Sequence, residues 1–492
     1  MKAYKYILLI LLTAPFVSCT DWFEVKADNE ITKEDLFSTY DGYRTALNGI
    51  YREFSKPELY GQEMSWLFVS CLGQNYDLST MWSEYAWAQA ANYNYEHADV
   101  KKITQAIWEK GYNIIANCNV LIENAEKEAP DFFYEGEREK KVLLGEAKGL
   151  RAFMHFDLLR LFAAAPVIND SKAYIPYVTK YPTFNPEHLP VNTVLDSIIS
   201  DLTFARNMLA DNDTLENVVM MNDVTHRFHN NITGDSDGGS FFAFRGTRMN
   251  YFAATALLAR AYLYKGDKEN AYRYANEVYR FANWFPFTSA ADLENSNRQY
   301  RHCKMYDDIL LAFSNSRLYT IYNDWYRSIY IQRLPVKNRN DLFAGDMDDF
   351  RFSRLIFEGY SLKWEPVTED PNMPWMNSDI VNFEGPLEPV IRMSEVYFMM
   401  CEYLADNDLS RAIQLLNDLR TARGCKTELN AGLTRDEFLN VLWNDETREF
   451  VAEGQTFFLY KRLDRPMYNG STPIDMDGKF VVPLPDSERS YY

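Results

Sequence analysis

The sequence is poor in several of the features that usually assign function. After its first dozen positions it has no apolar run near the roughly 20 residues that a spanning helix needs. It is short of positive charge: 51 Lys and Arg stand against 70 Asp and Glu, a net charge of -19. That balance argues against nucleic-acid backbones and anionic membrane surfaces as partners. Only six cysteines occur in 492 residues. Apart from Cys19 they are Cys71, Cys118, Cys303, Cys401 and Cys425, an odd, scattered set that makes no disulfide framework. Cys118 and Cys401 sit in apolar helical context and read as core thiols. There is no CxxC or HExxH, and the six histidines do not cluster at ligand spacing, so no metal or cofactor is expected. Continuous strand signals are scarce.

What is present begins at the N-terminus. Lys2 and Lys5 make a basic start, Ile7 to Leu12 an apolar core, and Phe16-Val17-Ser18-Cys19 a small-residue exit. This is a secretory signal, too short to span and interrupted by Pro15. The thiol directly after Ser18 is the residue a lipoprotein-processing system alkylates. We therefore expect removal of residues 1–18, lipid on Cys19, an acidic tether over 19–34, and membrane attachment through that lipid alone.

Beyond the tether the strong periodicity is helical. Apolar residues at spacings of three and four predict helices over 36–54, 103–126, 137–162, 191–210, 247–265, 268–282, 392–406, 409–422 and 435–453. Two pairs match at a shift of 141 residues. Leu257 to Leu263, then Gly266-Asp267 and Ala271, parallels Phe398 to Leu404, then Asn407-Asp408 and Ala412. Gly266 and Asn407 are residue types that end a helix in a left-handed turn, and the following Asp can cap the next helix. This is the logic of a tetratricopeptide hairpin. Arg151, Arg392 and Arg448 fall inside helical stretches and read as buried ion-pair residues, with Glu395, Glu449 and Glu453 as partners. Between helices the texture changes: 60–99, 211–246 and 283–390 are non-periodic and polar, and the first and last are studded with Trp and Tyr. Loops this long are uncommon unless functional.

Several segments together resemble the SusD/RagB family of Bacteroidetes surface lipoproteins. They are Cys19-Thr20-Asp21-Trp22-Phe23, Leu47-Asn48-Gly49-Ile50-Tyr51, Arg151-Ala152-Phe153 through Leu161-Phe162, Ala256 to Asp267, Ile391 to Tyr397, Leu416 to Gly424, and Glu446 to Gly454. The resemblance implies a mainly α, SusD-like fold in one domain over 35–492. Within it, 35–210 forms the N-terminal helical part, 247–282 and 391–453 the tetratricopeptide-type hairpins and C-terminal helices, and 283–390 an inserted loop region. It further implies a nutrient-capturing lipoprotein on the exterior of the outer membrane. The partner would be a TonB-dependent, SusC-like transporter, with the lipoprotein as its lid.

In the family, early and middle loops build the binding arc. Sugars offer flat C–H faces, on which Trp and Tyr rings stack, and a rim of hydroxyls that amides and carboxylates bind. By position, the stacking candidates are Trp82, Tyr85, Trp87, Trp284, Tyr322 and Trp325, and the hydrogen-bonding candidates Asn323 and Asp324. The expected activity is glycan binding without catalysis. One alternative is capture of a peptide or other nutrient; another is a secreted helical glycoside hydrolase, for which Asp307-Asp308 and Asp348-Asp349 are the adjacent carboxylates; a third is a pure protein-binding scaffold.

Overall fold

The computed structural model describes residues 32–229, 239–328, 334–365, 367–369, 371–467 and 472–489. The leader, Cys19 and most of the tether lie outside the described residues.

The predicted helices form, with shifted ends. They are α1 (Tyr40–Phe54), α2 (Ala98–Lys127), α3 (Gly136–Phe162), α4 (Val191–Asp211), α5 (Tyr251–Lys265) and α6 (Lys268–Tyr279). One helix of the inserted block follows, α7 (Leu318–Ser328), then α8 (Met393–Asn407), α9 (Leu409–Ala422), α10 (Arg435–Glu449) and α11 (Thr456–Leu463). The stretch expected to begin at 36 is split. Thr39 caps α1 by accepting from Gly42 N, and a Cβ on Gly42 would stand 1.5 Å from the Leu36 carbonyl oxygen, so only glycine allows this entry.

α2, α3, α4 and α5 pack side by side, because each turns an apolar stripe inward. In α3 Val142, Leu143, Ala147, Leu150, Phe153, Phe156 and Leu161 are all buried, and each large one contributes about 1.5–3 kcal/mol through burial. The hairpins α5–α6 and α8–α9 lie against one another, with Tyr272 stacked on Tyr403 at 4.5 Å and Lys268 paired with Asp406 at 3.0 Å. Gly266 adopts the expected left-handed turn, φ +90°, and Asp267 accepts from Asn270 N at 3.0 Å. Asn407 behaves differently: it is the last residue of α8 in the ordinary helical region, and Asp408 alone makes the turn and caps α9.

The inserted block crosses the scaffold through one antiparallel pair, β1 (Ile309–Ser314) with β2 (Leu387–Arg392). Below it, buried charges replace apolar packing. Glu449 accepts from Arg423 (2.7 and 3.0 Å), Arg351 (3.1 Å) and Arg392. Asp445 accepts from Arg351 and Arg420, both at 2.8 Å, while Asp346 takes Arg420 and Arg448, each at 2.7 Å. Arg392 thus has the expected partners Glu449 and Glu453. Arg151 instead pairs with Asp201, Arg448 with Asp346, and Glu395 with Arg260. Burial pushes the Glu449 carboxyl up, but three guanidiniums outweigh that and hold it well below the usual carboxylate range.

The five cysteines described, Cys71, Cys118, Cys303, Cys401 and Cys425, are free and buried. No helix among the described residues is long and apolar enough to cross a membrane.

Candidate functional site: an aromatic face over the inserted helix

The early loop and the inserted block meet through backbone. Tyr76 bridges to Val336, Asp77 N donates to Pro335 O at 2.8 Å, and Lys337 N donates to Asn75 O at 3.0 Å. This pairing closes a second apolar cluster, separate from the main core, containing Trp66, Leu67, Tyr76, Leu318, Trp325 and Trp364. Half-buried Tyr85, Trp87 and Tyr322 pack on it.

The block around 318–328 was expected to be loop and is helix α7. Leu318, Tyr322 and Trp325 recur at helical spacing and point to the cluster, which leaves Tyr319 and Asn323, four residues apart, on one outward flank. Tyr319 is 49% exposed, Asn323 is half-buried and Asp324 exposed. Sequence reading passed over Tyr319, although the spacing of 318, 322 and 325 was its signal.

Of the six candidate rings, five come together. Trp82 is 62% exposed and stands edge-on to Tyr85, centroids 5.4 Å apart. Trp87 meets Trp325 edge-on at 5.5 Å, and Trp325 meets Trp66 at 5.3 Å. Two expectations need correction. Trp325 is buried, 5% exposed, wedged between Trp66 and Trp87; it supports the face and has no ring surface left for a ligand. Trp284 follows α6 and packs on Phe252 and Phe281 of the main core, away from the other five.

Glu63 lies beneath this face and was not anticipated. Gln62 Nε2 donates to its Oε1 at 2.7 Å and Trp87 Nε1 to its Oε2 at 3.4 Å. Burial pushes its carboxyl up to about 7, so the indole is tied to a group that titrates near neutrality.

On the flank of α7 opens a cavity of about 440 Å³, lined by Leu318, Tyr319, Trp364, Arg301, Lys304 and Glu384 among others. Burial lowers Lys304 to about 8, and its Nζ donates to the carbonyls of Gly385 (2.5 Å) and Leu387 (2.7 Å). Burial opposes the charge on His302, but its 2.6 Å bond to Glu384 prevails and raises it to about 9.

The carboxylate pairs that a hydrolase would need are otherwise engaged. Asp308 is buried and receives Arg423 at 2.5 Å, while Asp349 is buried and receives Arg351 at 2.7 Å. Asp307 accepts from Thr288, and Asp348 is an exposed partner of Lys426. An acid and base facing each other across a cleft is not what either pair makes.

A helical frame carrying an aromatic-rich insert has well-defined counterparts. A putative sugar binding protein from Bacteroides vulgatus superposes with a TM-score of 0.67 at 20% identity, over 92% of this chain and 96% of its own. A SusD superfamily protein from Bacteroides fragilis gives 0.66 at 15% identity, over 93% and 98%. One from Bacteroides thetaiotaomicron gives 0.65 at 20%, over 92% and 98%. The fold is therefore SusD-like. Residues 21–222 match the SusD-like family described as "Starch-binding associating with outer membrane", and among curated protein sequences none matches. That sequence match covers about two-fifths of the chain, and the SusD-like fold extends over more than nine-tenths of it.

Proposed function

We propose that this protein is a lipid-anchored glycan-binding protein of the outer membrane's outer face, which captures an oligo- or polysaccharide and passes it to a TonB-dependent transporter. The observation that carries the reading is the convergence of Trp82, Tyr85 and Trp87 with α7, which sets an exposed indole and the outward Tyr319–Asn323 flank on a single apolar support. Rings meet C–H faces, and amides and hydroxyls meet the sugar rim. Trp82, Tyr85, Trp87, Tyr322 and Tyr319 form the stacking set in this reading, with Asn323 and Asp324 as hydrogen-bonding groups.

A glycan array on the purified protein tests it. A bound glycan should lose about tenfold affinity in Trp82→Ala, the scale of one stacking ring plus its area, with no change in melting temperature. Absence of any glycan binding by the parent protein overturns the reading. Sustained release of new reducing ends would replace it with the hydrolase alternative. Protease treatment of intact cells checks the topology: complete protection against an active protease is incompatible with surface capture.

A further inference from the structure

A second concavity, larger than the one beside α7, lies along α1. Its volume is about 990 Å³, at the upper end of the range for small-molecule sites. Its lining includes Tyr40, Asn48 and Arg52 of α1, Tyr134, whose ring lies 5.6 Å from that of Tyr40, and Phe244 and Asn382. The turn formed by residues 380–384 divides the two hollows: Asn382 and Phe383 face this groove, whereas Ile380, Val381 and Glu384 face the cavity beside α7.

Two observations set the groove apart from a gap between elements. The first is Phe244. Its φ is +55°, a left-handed conformation that costs a bulky residue free energy, and its ring is 37% exposed to the groove rather than packed in the core. The neighbouring buried ion pairs force this. Arg245, fully buried, is fixed by Asp213 (2.8 Å) and Glu146 (2.6 Å), and its own carbonyl is held by Asn250 Nδ2 at 2.9 Å. An exposed phenyl on a strained backbone brings the fold nothing, and a glycine would sit there at ease. The second observation is charge balance. Arg44 is spent on Glu139 (2.6 and 2.8 Å), and Arg245 and Arg248 on Glu146 and Asp213. Asp41 lies 3.7 Å from Arg44 Nη1, and Arg52 stands exposed on α1. In a chain of net charge -19 this groove is locally neutral, and Arg44, Arg245 and Arg248 are each committed to a carboxylate.

Exposed rings at Tyr134 (58%) and Phe244, uncharged amides at Asn48 and Asn382, and no net charge suit one ligand chemistry. We propose that the α1 groove is a second saccharide site, selective for uncharged oligosaccharides and independent of the face over α7. It rests on the proposed function only for the class of ligand. The test is calorimetric titration of the purified protein with maltohexaose, cellohexaose, xylohexaose and mannohexaose. In a Trp82→Ala background, the binding that remains should fall about tenfold on adding Phe244→Gly, while the melting temperature stays level or rises because glycine relieves the backbone. Tyr134→Ala, at an exposed position, should weaken the same phase. If no binding remains once Trp82 is removed, or if Phe244→Gly leaves the remainder unchanged, the groove is not a saccharide site and the face over α7 stands as the glycan site. If Phe244→Gly abolishes binding while Trp82→Ala leaves it untouched, the groove is the site and the face over α7 is not. If the parent protein binds none of the four, both assignments fall.

Discussion

The helical frame and the inserted block are held together by different physics. In the frame, α2 to α5 meet through Leu, Ile, Phe and Ala, and each helix satisfies its own backbone. In the block, the described residues between 283 and 390 contain only one helix longer than five residues. They are tied to α9, to Arg423 at its end and to α10 by guanidinium–carboxylate contacts at Asp346, Asp308 and Arg351. Apolar packing is forgiving in register and tolerates shape changes. A buried charge set is not: every member must be paired, since an isolated buried charge costs several kcal/mol. In the proposed binding surface, Tyr319, Tyr322, Asn323 and Asp324 come from this charge-tied block, and Trp82, Tyr85 and Trp87 from the early loop.

The strongest way to break this contrast is Glu449→Gln. Three guanidiniums lose one carboxylate, and the expected cost is about 3–5 kcal/mol in urea unfolding; a loss below about 1 kcal/mol would mean that the charges are spectators and packing holds the block. Next comes a pH effect on the wall between the two hollows. Glu388 is fully buried, accepts from Asn315 at 2.7 Å, and burial raises it to about 7. The folded state therefore holds a proton that the unfolded chain releases near 4.5. Its stability contribution is complete below about 4.5 and is lost as the pH climbs through 7. Glu388→Gln removes that dependence, so its stability relative to the parent should improve between pH 5 and pH 8, by on the order of 2 kcal/mol. Equal differences at both pH values would rule out a buried titrating Glu388. The smallest effect belongs to the frame. Asp267→Ala and Asp408→Ala each remove one cap and should cost about 1 kcal/mol, with ligand affinity unaltered; a matched loss of affinity would show that the hairpins and the insert are coupled.

Legibility in the sequence follows the same division. The helices were readable because a 3.6-residue repeat of apolar side chains is local information, and Gly266 with Asp267 marks a turn by local chemistry. Asn407 misled because asparagine only permits the left-handed turn, and here Asp408 made it instead. The second cluster was half readable. Trp82, Tyr85, Trp87 and Tyr322 were picked as loop aromatics, but nothing local told Trp325, a support, from Trp82, an exposed ring. That distinction depends on whether Trp66, more than 250 positions away, comes to lie against the indole. Arg151 was recognised as an ion-pair residue, but its partner Asp201 was not, since pairing across helices leaves no trace in spacing.

The sequence by itself determined the helical frame and the presence of aromatic material between its helices, because each is written in contiguous residues. Only the tertiary structure decided which rings stay in solvent, that α7 is a helix with an outward flank, and that a neutral groove runs along α1. Those properties arise from contacts between segments far apart in the chain, where burial and the pairing of charges are settled by packing.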